Sequence, residues 1–209
     1  MKTDKKNDNV ETVQITAPKI HTAEFRIVGT APLVQLRFSK KGDIMEKMAL
    51  GDKSKKNKSK AARDYDKEFN DAQHFSDEGW AGVPAAAFRN AMISACRLVG
   101  FKMTLGKLCL KTVADGFDRE EGTPLIKLEG KAVAVNHHVR NATGVCDIRT
   151  RAKFWPWAAV VRVEYDADQF SATDVTNLMA RVGQQVGIGE GRPDSKSSAG
   201  MGWGTFRLD

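Results

Sequence analysis

The chain lacks several features that would place it in common functional classes. Its 209 residues include only three cysteines, Cys96, Cys109 and Cys146, and no two of them form a C-x-x-C pair. An odd number of widely spaced cysteines indicates reduced thiols and no structural zinc. No apolar run approaches the roughly 18 residues that span a bilayer, and the polar first residues have no signal-peptide core. We therefore expect a cytoplasmic protein with no membrane partner.

The sequence also has fewer acidic than basic residues. The sequence has 26 acidic residues against 33 lysines and arginines, which gives a formal net charge of +7. Residues 40–60 alone contain eight lysines and three acidic residues, a local charge of +5. Positive charge concentrated in this way favours a polyanionic partner, and nucleic acid fits better than a membrane because no amphipathic anchor accompanies it. The alternative interpretation of the lysines is a solvated loop.

The most informative segment is residues 187–206, which contain six glycines together with Arg192 and Lys196. Glycines allow positive φ and let the backbone approach a ligand closely with its N–H groups unblocked. The two basic side chains indicate an anionic ligand. The segment follows a predicted helix and precedes a predicted strand, which is the reverse of a Rossmann or P-loop context, and no Lys-Ser/Thr ending is present. It therefore predicts no mononucleotide cofactor.

Hydrophobic periodicity predicts an α+β fold. Alternation over residues 21–38 predicts one long or bulged strand, and three- and four-residue spacing after Pro84 predicts a helix that ends at Gly100. A second helix is predicted after a capping box of Ser171 and Asp174. Further strands are predicted over residues 107–113, 125–135, 158–165 and 205–208.

This order of elements is typical of a ferredoxin-like or RRM-like fold, an antiparallel sheet with two helices on one face. Residues 20–209 would form this single domain, after a disordered tail over residues 1–19. Two excursions would interrupt it, at about residues 39–79 and 114–157. The first is a basic excursion after the first strand, with one short helix near residues 60–69, and we expect it to be mobile until a ligand binds.

Two segments resemble the signatures of the CRISPR-associated RAMP superfamily. The helix-opening turn of that family resembles Gly82-Val-Pro-Ala-Ala-Ala-Phe-Arg, and its glycine-rich loop resembles residues 187–206. The resemblance covers residues 20–38, 80–113 and 158–209 and is strongest to the palm-and-thumb backbone subunit that polymerises along guide RNA. It implies an RRM-like palm with the lysine-rich excursion as a thumb. Alanines replace the usual hydroxyl residues of the first signature, and the loop is lengthened, so a solitary viral relative is the other assignment that it allows.

Cations interleaved with aromatic rings favour single-stranded nucleic acid, because phosphates supply affinity and bases stack on the rings. We therefore predict binding of single-stranded RNA or DNA by the lysine-rich excursion, by a second basic loop over residues 136–154 and by the glycine-rich loop. The predicted residues are Lys40, Lys41, Lys53, Lys55, Lys56, Arg140, Arg149, Arg151, Lys153, Gly189, Gly191, Arg192, Lys196, Gly202 and Trp203. The resemblance adds Arg89, and it implies self-association into a filament or a multi-subunit ribonucleoprotein.

Two other functions stay open from the sequence. A metal-independent endoribonuclease on the same fold would use a general base, for which the candidates are His21, His74, His137 and His138. A viral protein that docks on a host nucleoprotein complex is the other. One acidic turn, with Asp115, Asp118, Glu120 and Glu121, has no neighbouring histidine in the sequence and is interpreted as solvated surface. We assign no catalytic residue and no metal ligand.

Overall fold

A computed structural model describes residues 15–37, 64–140, 146–195 and 200–209, with only the backbone for residues 138–140, 146 and 147. The chain is α+β, and all paired strands are antiparallel. The helices are α1 Tyr65–Asp71, α2 Ala85–Ala95, α3 Met103–Cys109 and α4 Ala172–Arg181, with a 3-10 turn Cys96–Val99 after α2 and a π-helical turn Val182–Val186 after α4. The strands are β1 Ile20–Gly29, β2 Leu33–Gln35, β3 His74–Phe75, β4 Ala81–Pro84, β5 Leu110–Val113, β6 Gly116–Phe117, β7 Pro124–Lys127, β8 Ala132–Arg140, β9 Cys146–Phe154, β10 Ala158–Asp166 and β11 Phe206–Leu208.

A four-stranded sheet in the order β11-β1-β10-β5 organises the chain. Along β1, Phe25 and Ile27 are buried while Glu24 and Arg26 are exposed, and β10 alternates in the same way. Successive side chains of a strand point to opposite faces, so this sheet buries one face and leaves the other polar.

The two predicted long helices are confirmed. Helix α2 begins directly after Pro84 and continues through the 3-10 turn to Gly100, whose φ of 72° ends it. Helix α4 begins at the predicted capping box, in which Ser171 Oγ accepts from the Asp174 N–H while the Asp174 carboxylate accepts from the Ser171 N–H. Both helices contribute buried side chains to the core that the four-stranded sheet also lines. None of the helices in the described ranges is long and apolar enough to cross a membrane.

The prediction of one long or bulged first strand over residues 21–38 is wrong, because the chain changes sheets after Gly29. Strand β1 ends there, and β2 pairs with β9 in a three-stranded sheet of order β2-β9-β8. The indole of Trp157 lies where a side chain on Gly29 would be, and its Nε1 donates to the carbonyl of Ala31 at 2.8 Å. The tryptophan therefore fills the corner between the two sheets.

The prediction of a basic loop over residues 136–154 is also wrong, because residues 136–140 lie in β8 and residues 146–154 form β9. On β9, Arg149, Arg151 and Lys153 alternate with the buried Ala152 and Phe154. Because charged residues occupy alternate positions of β9, the segment contains few of the apolar residues that usually indicate a strand. The sequence pattern therefore did not predict it. Similarly, the strand predicted from residue 107 begins at Leu110, because α3 precedes it.

A third sheet, in the order β3-β4-β7-β6, completes the structure. Helix α2 follows β4 directly in the chain, so the start of α2 has a fixed position relative to this sheet. Residues from all three sheets join one hydrophobic core; they include Ile27, Val83, Ile126, Phe154 and Val161. The additional sheets are therefore packed parts of the same core and position the glycine-rich loop described next.

Candidate nucleic-acid interface

The glycine-rich loop has the backbone conformation predicted for it. The π-helical turn ends at Gly187, and a positive φ is adopted by Gly187, Gly189, Gly191, Gly200, Gly202 and Gly204. L-residues with a side chain adopt this region at a cost of about 1–2 kcal/mol each. The loop conformation therefore depends on glycine at every one of these positions.

Several of these glycines are needed because the chain packs against itself. A Cβ on Gly189 would lie 2.7 Å from the carbonyl oxygen of Val34, and a Cβ on Gly191 would lie 2.5 Å from the Trp203 ring. A Cβ on Gly204 would overlap the carbonyl oxygen of Ile188. Gly189 and Gly191, which we predicted to contact a ligand, thus contact β2 and Trp203.

Gly200 and Gly202 form a second group. A Cβ on either residue would meet no atom of the described chain within 4 Å. Their positive φ is therefore not explained by close packing, and a side chain at either position would lie in open space. These two positions are the part of the loop best suited to contact a ligand through the main chain.

Glu190 attaches the loop to the three-stranded sheet. Its N–H donates to the carbonyl of Val34 at 2.9 Å. Its carboxylate accepts from Nη2 of Arg151 at 3.1 Å and also from Nε. Arg151 is only 3% exposed, so this predicted phosphate ligand is buried and neutralised by Glu190.

Asp194 attaches the far side of the loop to α2. Its carboxylate accepts from the Ser94 hydroxyl and from Nη2 of Arg97, the latter at 2.7 Å. The hydrogen bond from Ser94 lowers the pKa of Asp194; burial acts in the opposite direction, and Arg97 adds to the lowering. The depressed pKa means that this attachment is complete above the ordinary aspartate pKa and is lost as the pH falls through the lowered value.

The structure brings the basic strand and the glycine-rich loop together. Arg149, Arg151 and Lys153 share one face of β9, and Arg151 reaches Glu190 of the loop from that face. His137, which lies opposite Arg149 in the register, packs its ring 5.0 Å from that of Trp203. Two sequence segments that we predicted separately as binding sites thus form one surface.

A groove runs beside this surface, between β2, the start of α2 and the glycine-rich loop. Its volume is about 610 Å³, and we call it the loop groove. Arg192 is half-buried in its wall and donates from Nη1 to the carbonyl of Gly189 at 3.0 Å. Its polar lining includes Gln35, His74, Asn90, Ser94, Glu190 and Asp194.

The remaining predicted residues lie elsewhere or outside the described ranges. The guanidinium of Arg89 donates to the carbonyl of Leu110 at 3.0 Å and to that of Lys107, so it is held by main-chain oxygens at the end of α3. Of Arg140 only the backbone in β8 is described. The residues that lie outside the described ranges are Lys40, Lys41, Lys53, Lys55, Lys56 and Lys196.

The interpretation of the acidic turn as solvated surface is wrong for Asp118, whose side chain is fully buried. Its carboxylate accepts from Nη2 of Arg37 at 2.9 Å and lies 3.0 Å from Nδ1 of His74. It also accepts from the backbone N–H groups of Glu120 and Glu121, at 2.9 and 3.0 Å. We call Arg37, His74 and Asp118 the buried triad.

The buried triad places an ionised carboxylate beside the loop groove. Burial alone would raise the pKa of Asp118, but the N–H groups of Glu120 and Glu121, the hydrogen bond with His74 and the charge of Arg37 together lower it. Asp118 accepts a hydrogen bond from Nδ1 of His74, whose ring lines the groove. The other ring nitrogen, Nε2, has no partner among the described residues. No sequence pattern links these three residues, which is why we did not predict the triad.

In the described part of the chain, no group of three or more His, Cys, Asp or Glu side chains is arranged to hold a metal ion. The two cysteines with described side chains, Cys96 and Cys109, are unpaired and buried, and burial raises the pKa of each thiol. The described features suited to recognition are therefore cations, a tryptophan, the space beside Gly200 and Gly202, and the loop groove. No protein family model matches the chain, and no curated protein is similar to it.

Proposed function

We propose that the protein binds single-stranded nucleic acid, RNA or single-stranded DNA, where the glycine-rich loop meets β9. The observation that carries the proposal is the juxtaposition of Arg149 and Lys153 on β9 with Trp203 and the open space beside Gly202. Cations along a path give affinity for phosphates, and an accessible ring allows stacking by any base. Duplex DNA would suit this surface less, because its bases are already stacked.

The arrangement of the four-stranded sheet supports this proposal. Taken in chain order, its strands are β1, β5, β10 and β11, and the order across the sheet is fourth, first, third, second. Helix α2 lies between the first and second of these strands, and α4 lies between the third and fourth. We interpret this as a ferredoxin-like or RRM-like palm, an architecture that many single-strand-binding modules share.

The proposal extends to assembly, as the resemblance to guide-RNA backbone subunits implies. Copies of the chain would lie side by side along one strand, and the lysine-rich excursion would reach the neighbouring copy. Contacts that are weak in isolation become cooperative on a shared strand, since each bound copy raises the local concentration of the next contact. Particle mass in light scattering would then increase with oligonucleotide length.

Replacing Lys153 with alanine tests the binding surface. We expect the slope of log affinity against log salt to flatten by about 0.7, which is the contribution of one phosphate contact on a single strand. Replacing Lys53, Lys55 and Lys56 together should flatten it by up to about 2. Fluorescence anisotropy with labelled RNA and single-stranded DNA at several salt concentrations measures both slopes.

Lys111→Ala is the matched control, because Lys111 is an exposed lysine on β5 that pairs with Glu164 on the polar face of the four-stranded sheet. For this variant, the slope of log affinity against log salt should equal that of the unmodified protein. A protein that binds neither RNA nor single-stranded DNA at low salt would contradict the proposal. A Lys153→Ala slope equal to that of the control would remove β9 from the binding surface.

The buried triad favours a second candidate function, metal-independent cleavage of RNA. With Nδ1 held by Asp118, Nε2 of His74 is a suitable general base for the proton of a ribose 2′-hydroxyl in the loop groove. The freed oxygen would attack the adjacent phosphorus and form a 2′,3′-cyclic phosphate, and the expelled 5′-oxygen would take up a proton from water. His21, which is exposed on β1 and packs on Tyr165, has no comparable carboxylate partner in the described structure.

His74→Ala should slow such cleavage by about 100-fold or more, because general-base catalysis typically contributes that much. The measurement is gel electrophoresis of labelled RNA in the presence of a metal chelator, with His21→Ala as the matched control. A deoxyribose substrate should resist cleavage, since it has no 2′-hydroxyl. RNA that stays intact with the unmodified protein would exclude this second function and leave the binding proposal untouched.

A further inference from the structure

We infer that the loop groove holds one unstacked nucleobase and prefers bases that carry an exocyclic amino group. The inference rests on the proposed binding of single-stranded nucleic acid and adds a sequence preference to it. It is carried by polar groups of the residues that line the groove, since several of them have no partner among the described residues. The preferred bases are adenine, cytosine and guanine over uracil.

The size and lining of the groove suit a flat, mostly apolar ligand. Its volume of about 610 Å³ lies within the roughly 300–1,000 Å³ that is usual for small-ligand sites. Its apolar walls include Val34, Val83, Pro84, Ala87, Ala91 and Ile188. Arg192 and the backbone of the loop lie at one side, where a phosphate on the sugar of the bound nucleotide would be met by positive charge and N–H groups.

Gln35 is the main reason to expect that the bound base carries an amino group. Its side-chain Nε2 donates to the carbonyl of Gly82 at 2.9 Å, and because a carbonyl oxygen can only accept, this bond fixes which way the amide points. The opposite atom, Oε1, is buried and has no hydrogen-bond donor among the described residues. Gln35 is 5% exposed. A buried acceptor without a donor is unfavourable, so a ligand N–H at this position would be favoured.

Two further groups complete the pattern. When Nδ1 of His74 donates to Asp118 and Nε2 carries no proton, Nε2 is a second acceptor on the groove wall. The amide of Asn90 lies on the exposed side of α2 at the groove, with no hydrogen bond in the described part of the chain. Amide side chains recognise adenine through its amino group and ring nitrogen. Most polar groups of the groove that have no partner among the described residues are therefore hydrogen-bond acceptors. A base edge with N–H donors would pair with them.

The preference is measurable with oligoadenylate, oligocytidylate and oligouridylate of equal length, each labelled with fluorescein. Fluorescence anisotropy should give dissociation constants about tenfold lower for the first two than for oligouridylate, since one good amide-to-base pairing discriminates by roughly this factor or more. Gln35→Met preserves side-chain length without an acceptor. It should bring the ratio of affinities close to one, mainly by weakening the binding of oligoadenylate and oligocytidylate.

Gln35→Met also removes the bond to Gly82, so a second variant keeps the test independent of folding. Asn90→Ala, at an exposed position of α2, should lower the preference severalfold with an unchanged melting temperature. Asn177→Ala is the matched control, because Asn177 is an exposed amide on α4 that lies outside the groove lining. It should leave the ratio of affinities unchanged.

The outcomes separate the inference from the proposed function. Equal affinity for the three oligonucleotides, with clear binding of all of them, overturns the inference and leaves the proposed function standing. A preference that survives both Gln35→Met and Asn90→Ala assigns the discrimination to another surface and also overturns the inference. If none of the three oligonucleotides binds, the inference and the proposed function fail together.

Discussion

Replacing Gly204 with alanine should lower the free energy of unfolding by about 3 kcal/mol or more. The positive φ of 68° at this position costs a side-chain residue about 1–2 kcal/mol, and overlap with backbone typically costs a further 1–3 kcal/mol. The overlap falls on the carbonyl of Ile188, where no side chain can rotate away. Gly204 also donates to the carbonyl of Pro32 at 2.8 Å and accepts from Ile188 at 3.0 Å. Urea denaturation followed by circular dichroism measures the loss.

Gly202→Ala is the control for this effect, because Gly202 has nearly the same φ, 72°, and open space around it. It should cost only about 1–2 kcal/mol, the conformational part. Comparing the two variants separates the cost of a positive φ from the cost of steric overlap within one loop. Equal destabilisation by the two substitutions would mean that Gly204 is not a packing position, and the account of a loop closed by its own glycines would be wrong.

The second large effect is expected for Asp118→Asn. This substitution keeps the size of the side chain but removes the charge that faces Arg37, which is 4% exposed at its side chain. Removal of one partner from a buried ion pair typically costs about 3–5 kcal/mol. Arg37 retains Glu121 at 2.7 Å and Glu120 at 3.3 Å, so we expect the low end of that range, about 3 kcal/mol. Urea denaturation at neutral pH measures it.

The same variant should change the response to acid. The folded-state pKa of Asp118 is lowered, so its contribution to stability is complete above the ordinary aspartate pKa of about 4 and is lost as the pH falls through the lowered value. Asp118→Asn should therefore lose less stability on acidification than the unmodified protein. Asp168→Asn, at a surface aspartate that pairs with Lys19, is the control. Identical acid dependence of the two variants would contradict a structural role for the Asp118 charge.

Local chemistry made the helices predictable. The capping box at Ser171 and Asp174 involves residues three positions apart, and the end of α2 needs only Gly100 and its positive φ. The positive φ values of the glycine-rich loop followed from composition alone. Strand β8 was predicted only as far as Val135, and β9 was not predicted, because the two strands pair with each other and contain few large apolar residues.

Individual residues of the site could be predicted from the sequence, but the contacts between them could not. Arg192, Trp203 and the basic residues of β9 are recognisable as cations and rings in sequence, whereas the burial of Arg151 depends on Glu190, which lies 39 residues away. The buried triad joins Asp118 to Arg37 across 81 residues and to His74 across 44. Pairings at such separations leave no periodic signal. Charge in the sequence therefore overstated how many arginines are available to a ligand.

The corner between β1 and β2 has a consequence for the order in which the chain can fold. Thr30 is bound to Thr205 through both its N–H and its hydroxyl, although the two residues are 175 positions apart. Strand β11 pairs with β1 over Ile27–Gly29. During synthesis, that edge of β1 stays open until residues 204–208 have left the ribosome. Contacts of such separation form slowly, and an open strand edge pairs readily with other chains. The nascent chain thus has a long interval in which aggregation competes with closure of its central sheet.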